Sequence, residues 1–356
     1  MISAFIRFSL ITILLILSAN GALEAQTFTT FDIPNSTISA DSPLAIGPAG
    51  EVAGSTIDAN GSHGFLRHKD GTIIVFDIPG SGGFVTDMGT SGWIVGYYWT
   101  PTTNGGNLSH GFIRERDGTI KTFDLPESFE SLGPLPNAVT PSGRITGYYY
   151  ANNGPSHGFL KEGDRSVISF DVPGARDTFP QAINSSGEIV GVYGGFDLFF
   201  RHAFLRQPDG AFSTFDVANS VQTYVSGHGA INSAGEITGY YYPTLINPMP
   251  HGFLRQADGE IVTFDVPGST QTSPSAINNR GQITGLYIDD VFHLGGRGFL
   301  RDADGTIMVF DAPGATTIYT IPRDINAAGE IVGIFADSKG FHGFIRHPRK
   351  GPSQQR

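Results

Sequence analysis

Between residues 27 and 347 the apolar positions come in short runs, each broken by a polar, glycine-bearing stretch, and no run keeps the spacing of an amphipathic helix. One stretch shows the layout. Ala182-Ile183-Asn184 is a short apolar piece, Ser185-Ser186-Gly187 a turn, and Glu188-Ile189-Val190-Gly191-Val192-Tyr193 a strand-like run. After a variable loop come His202-Ala203-Phe204-Leu205-Arg206, a Pro208-Asp209-Gly210 turn, and a last run from Ala211 to Val217 through Phe215-Asp216. The pattern predicts four short strands, a to d, with tight turns joining a to b and c to d.

The unit recurs. Phe-Asp pairs stand at Phe31-Asp32, Phe76-Asp77, Phe123-Asp124, Phe170-Asp171, Phe215-Asp216, Phe264-Asp265 and Phe310-Asp311, separated by 45, 47, 47, 45, 49 and 46 residues. A glycine marks the a–b turn in all seven units, from Gly50 to Gly329, where only glycine takes positive φ cheaply. The first copy is out of phase: an isolated strand d, Thr27 to Pro34, opens the repeat, and the last unit stops after strand c, His342 to Arg346. A ring resolves both ends, because the N-terminal strand can supply the outer strand that the last unit lacks. The expected fold is therefore all-β, a seven-bladed β-propeller of four antiparallel strands per blade. A linear β-solenoid of the same period is the alternative, and it would need dedicated caps at both ends.

Residues 1–25 break the pattern. Arg7 precedes an apolar run, Phe8 to Leu17, and small residues follow up to Ala25, the layout of a cleaved secretory signal peptide. The expected organisation is a signal peptide at 1–25, a single propeller domain at 26–347 and a disordered basic tail at 348–356, exported to the periplasm or beyond. No second apolar stretch could span a bilayer, and the mature chain is expected to be a monomer. The chain has 0 cysteines, which excludes disulfides, thiolate metal sites and a cysteine nucleophile. A net charge of -11 argues against nucleic acid as partner.

The His-Gly/Ala-Phe-Leu-Arg core, the Ala-Ile-Asn-x-x-Gly-Glu-Ile run and the Phe-Asp-x-Pro-Gly segment resemble a bacterial extracellular repeat family named HAF, spelled literally at His202-Ala203-Phe204. The resemblance covers residues 27 to 347. It departs at Ala45-Ile46-Gly47-Pro48, which lacks the Asn, and at Arg297-Gly298-Phe299, which lacks the His. The resemblance implies export and a repeat scaffold, and carries over no catalytic residue.

A histidine recurs at His63, His110, His157, His202, His251 and His342, with Arg297 in the sixth place. Each of the first five and Arg297 precedes the aspartate of a Phe-Asp pair by fourteen residues, giving His63–Asp77, His110–Asp124, His157–Asp171, His202–Asp216, His251–Asp265 and Arg297–Asp311. His342 would meet Asp32 across the closure. A dyad needed once for catalysis is not needed seven times, so these pairs read as scaffold. The strand c cations Arg67, Arg114, Lys161, Arg206, Arg255, Arg301 and Arg346 read likewise, with their stems packed between blades.

No nucleophile elbow, zinc-binding helix or phosphate loop is present, and no cofactor, metal or catalytic residue is assigned. Binding residues are expected where the copies differ, in the b–c loops and d–a connections of one face. The candidates are Tyr98, Trp99 and Asn104 in blade 2, Phe199, Phe200 and Arg201 in blade 4, Tyr242 in blade 5, and Asp289, Asp290 and His293 in blade 6. Aromatics beside amides and carboxylates suit an extracellular carbohydrate or protein. A secreted hydrolase or lyase would instead need carboxylates from different blades converging at the centre, and a structural surface protein would need neither.

Overall fold

The structure, a computed structural model, describes residues 26–349 apart from 81, 104, 127–130, 152–153, 164–165, 196–200, 247, 290–294 and 316–318. The proposed signal peptide and nearly all of the basic tail thus lie outside the described residues. Seven four-stranded antiparallel sheets form the ring. Blade 4 is typical, with strands Asp177–Ile183, Ile189–Gly194, His202–Arg206 and Phe212–Phe215 from the axis outward. Blade 7 consists of Thr320–Ile325, Ile331–Asp337 and Gly340–His347, and its outer strand is Thr27–Phe31. Thr27 pairs with His347 and Phe31 with Gly343, so the chain's first strand closes the propeller. No described helix is long and apolar enough to cross a membrane.

Strand a differs from the sequence expectation. Ala182-Ile183 is only its end; the strand begins at Asp177, and Pro180 and a bulge at Gln181 interrupt the alternation upstream. Proline is tolerated because strand a is the inner edge, where its missing N–H costs no ladder bond.

The repeated residues build the seams. In every blade the strand c phenylalanine (Phe65, Phe112, Phe159, Phe204, Phe253, Phe299, Phe344) is 0% exposed. Burying such a ring contributes on the order of 2–3 kcal/mol. The strand c cation lies over the Phe of the preceding blade's Phe-Asp pair, from Arg206 over Phe170 at 4.8 Å to Lys161 over Phe123 at 5.4 Å, in all seven positions. That same Phe ring covers the glycine of strand c: a Cβ built on Gly64 would sit 2.1 Å from Phe76. The seven spaced pairs meet, with His-to-Asp contacts running from 2.5 Å at His110–Asp124 and His342–Asp32 to 3.0 Å at His63–Asp77. Arg297 donates to both oxygens of Asp311, at 3.1 and 2.7 Å.

The Ala-Ile-Asn-x-x-Gly-Glu run has its own explanation. Asn184 Oδ1 accepts the Glu188 N–H at 3.0 Å, its Nδ2 donates to Glu188 Oε2 at 2.6 Å, and the same Nδ2 donates to the Asn232 carbonyl of the next blade at 3.1 Å. Asn232, Asn278 and Asn326 repeat the reach, the last to the Gly47 carbonyl of blade 1. The amide belt thus ties blades 4 to 7 and then blade 1, while Gly47, Gly89 and Thr140 stand at its position in blades 1 to 3.

Candidate functional site

Strand a bounds the axial channel, and its bulge decides what faces the channel. In blades 2, 3, 4, 6 and 7 one residue is left unpaired, at Thr86, Asn137, Gln181, Ser275 and Arg323. An unpaired bulge residue can be re-aimed away from the sheet. All five line one central well of about 360 Å³, together with Asp41, Leu44, Ser226, His228 and Tyr240. Blade 1 has no bulge, since Leu44, Ala45 and Ile46 pair in unbroken register. Blade 5 has an enlarged one: Val225 pairs with Gly239, and Ala230 next accepts the Thr238 N–H, so Ser226-Gly227-His228-Gly229 stand where other blades have one residue. These extra residues account for the 49-residue gap in the repeat.

The insertion carries His228 onto the axis, where it lines both the well and a second cavity of about 240 Å³ opening on the a–b turns. Two aspartates meet it. Five blades hold Ala45, Ala138, Ala182, Ala230 and Ala276 just before the a–b turn, but blades 2 and 7 hold Asp87 and Asp324. Each carboxylate accepts backbone N–H groups from its own and the next blade: Asp87 from Met88 (2.7 Å) and Val139 (2.8 Å), Asp324 from Ile325 (2.8 Å) and Ile46 (2.9 Å). His228 Nε2 lies 3.7 Å from Asp324 Oδ2, an ion-pair distance and not a hydrogen bond, and that nitrogen has no hydrogen-bond partner among the described residues. Burial opposes a charge here, yet the carboxylates of Asp324 and Asp87 outweigh it and push the imidazole up to about 9. Burial pushes the Asp87 carboxyl up to about 6, only partly offset by His228 and the Val139 and Met88 amides. The trio sets one imidazolium against two carboxylates, one of them shifted toward its neutral form.

Around the well, on the b–c face, lies a half-ring of aromatics. In blade 2, Phe84, Tyr97 and Trp99 pack edge to face, the Tyr97 and Trp99 centroids 5.1 Å apart. Tyr148 meets Tyr150 at 5.6 Å and Phe179 of blade 4 at 5.1 Å. Arg201 covers Phe179 at 5.4 Å. In blade 5, Tyr224 stacks on Tyr240 at 5.2 Å, with Tyr242 set edge-on to both. These residues are half-buried except Tyr150, which is exposed at 39%. At the positions of Tyr97 and Trp99, blades 6, 7 and 1 hold Leu286 and Ile288, Ile334 and Ala336, and Ser55 and Ile57. Burial raises the pKa of Tyr97, Tyr148, Tyr224, Tyr240 and Tyr242, so the crescent presents neutral rings and protonated hydroxyls.

The structure separates the residues singled out in the sequence. Trp99, Arg201 and Tyr242 join the crescent. Tyr98 does not: its ring is 9% exposed and stacks on His110 at 4.9 Å, as Tyr149, Tyr193, Tyr241 and Phe335 do on their own histidines. Asp289 is also taken up by the scaffold. It accepts from Arg297 Nη1 at 3.3 Å, the place that Asp58 takes with His63 and Asp337 with His342. Asn104, Phe199, Phe200, Asp290 and His293 lie outside the described residues. His228, Asp87, Asp324 and Arg323 went unread in the sequence; the longest gap and the two Ala-to-Asp departures were the available signals.

No family profile matches the chain, and no curated sequence resembles it significantly. Among solved structures it is similar to virginiamycin B lyase from Staphylococcus aureus (TM-score 0.57, 14% identity, covering 91% of this chain and 100% of that one). It is also similar to the β-propeller domain of the Trilobed protease from Pyrococcus furiosus (TM-score 0.56, 9% identity, 87% and 97% covered). Puromycin hydrolase aligns over 87% of this chain and 52% of its own length at 13% identity, with a TM-score of 0.57. At these identities the likeness is one of fold alone, and the chain is a seven-bladed β-propeller repeat protein.

Proposed function

We propose that the protein is an exported binding module that holds an extracellular carbohydrate chain along the aromatic crescent of blades 2 to 5. One observation carries this reading: aromatics fill these positions in blades 2, 3 and 5, and Phe179 on strand a bridges blade 4, where Val192 and Gly194 stand, while blades 6, 7 and 1 hold small or aliphatic residues. A scaffold requirement would act on all seven copies. Rings with neutral hydroxyls at their edges can cover the apolar face of a sugar and bond its hydroxyls. The hydrolase reading gains Asp87 and Asp324 at the axis. Each of their oxygens, however, already accepts a backbone N–H, which ties both carboxylates into the frame of the ring.

The test is titration calorimetry of residues 26–356 against soluble polysaccharides. Trp99→Ala and Tyr242→Ala should each weaken binding about tenfold, the loss of one well-packed aromatic contact. No saturable binding by any polysaccharide, or binding indifferent to both substitutions, would sink the proposal.

A further inference from the structure

The repeat supplies an arginine or lysine to every seam, and each of those cations lies over a phenylalanine ring. Arg323 is different. It stands at the bulge of blade 7, on the wall of the central well. Among the described residues it covers no ring and forms no ion pair. Its one hydrogen bond runs from Nη2 to the Ala40 carbonyl at 2.5 Å, and its buried Nε has no partner. Burial lowers its pKa below the ordinary value, against smaller opposing effects of Tyr319 and Asp41. A part-buried guanidinium with no ion-pair contact is costly, and it offers a planar fork that fits a carboxylate.

The rest of the wall says what body the carboxylate would sit on. Ser226 and Ser275 have given their hydroxyl protons to the Pro274 and Pro322 carbonyls, at 2.6 and 2.9 Å, so they present lone pairs. Asn137 donates one amide hydrogen to the Pro180 carbonyl at 2.7 Å and keeps its oxygen. Gln181 and Thr86 complete a wall rich in acceptors, which suits a ligand that arrives carrying hydroxyl protons. The other charges limit the anion. Asp41 also lines the well, and the charge of His228 is spent on Asp324 and Asp87. Of the cations lining the well, Arg323 is the one with no ion-pair contact among the described residues, a single donor fork that suits a monoanion better than a phosphate dianion.

We propose that the central well is a subsite for a carboxylate-bearing sugar, a uronic-acid residue whose carboxylate pairs with Arg323 and whose hydroxyls bond Ser226, Ser275, Asn137 and Gln181. This deepens the carbohydrate reading, to which it is joined by Tyr240, a member of both the crescent and the wall of the well. No covalent step is involved.

The test uses free monosaccharides, which need no crescent. Glucuronate and galacturonate should bind saturably to residues 26–356, at least tenfold tighter than glucose, glucuronamide or inorganic phosphate. Arg323→Gln should remove that preference, and Arg323→Lys should restore part of it. If Arg323→Gln fails to fold, Gln181→Trp, which fills the well, should abolish uronate binding on a protein that still melts cooperatively. Trp99→Ala and Tyr242→Ala should leave the monosaccharide untouched, so the subsite and the crescent stand or fall separately. Absence of uronate binding, equal binding of the acid and its amide, or tighter binding of phosphate would overturn the proposal.

Discussion

The seams between blades and the wall of the channel are built from the same seven copies and obey opposite rules. At the seams and within each blade every copy repeats the same contacts: a wholly buried phenylalanine, a cation over the ring of the preceding blade, and a histidine or arginine on an aspartate of its own blade. At the wall no two copies present the same residues: Thr86, Asn137, Gln181, the inserted Ser226 to Gly229, Ser275, Arg323, and in blade 1 no bulge residue at all. Repetition therefore marks what holds the ring, and departure from it marks what the ring can be used for.

Removing residues 26–34 should break the seams most severely. It strips blade 7 of its outer strand, Arg67 of the Phe31 ring and His342 of Asp32, and leaves a long unpaired edge. We expect aggregation or loss of the cooperative melt, read by calorimetry. Phe253→Ala should cost about 3–5 kcal/mol in chemical denaturation, as a large buried ring lost from a packed core. Gln181→Ala, at the wall, should change stability by less than about 0.5 kcal/mol. Similar costs for these two substitutions would erase the contrast.

The axial trio gives a pH signature. The folded imidazole of His228 titrates at about 9, above its ordinary 6.5, so the folded state binds the extra proton. Its stabilisation is complete below pH about 6.5 and is lost as pH rises towards 9, by at most about 3 kcal/mol. Asp87 adds a smaller fall between its ordinary 3.8 and about 6, because its ionised form is the disfavoured one in the fold. Melting temperatures of the wild type should decline across pH 6.5–9 more steeply than those of His228→Gln. Parallel profiles would show that the trio does not hold its proton. The smallest effect sharpens the rule of repetition: Arg297→His should be neutral within about 0.5 kcal/mol, while Arg297→Ala should cost about 0.5–1 kcal/mol by removing the exposed pairs with Asp289 and Asp311.

The same division explains what was legible in the sequence. Residues that occupy identical surroundings seven times announce themselves by recurrence, so the blade count, the closure by Thr27–Phe31 and the His–Asp pairs could be read directly. Strand a could not, because Pro180 and the bulge at Gln181 break its alternation just where it turns toward the channel. Trp99 and Tyr98 are neighbours in sequence and differ in role, since a strand sends successive side chains to opposite faces and only register shows which face meets His110. His228 joins Asp87 and Asp324 across blades 5, 2 and 7, a convergence that no local pattern records.

The pairing of Thr27 with His347 also sets a clock. Of the propeller's strands, the first to be synthesised waits for the last, so the ring cannot shut until all seven blades have been made. At about 5–20 residues per second that wait is on the order of a quarter of a minute to one minute. Throughout it, the edge of Thr27–Phe31 that will meet Gly343–His347 has no partner from its own chain, although Phe65 and Arg67 of blade 1 can already cover the Phe31 ring. Whatever receives the growing polypeptide must keep that edge apart from other copies until the circle is complete.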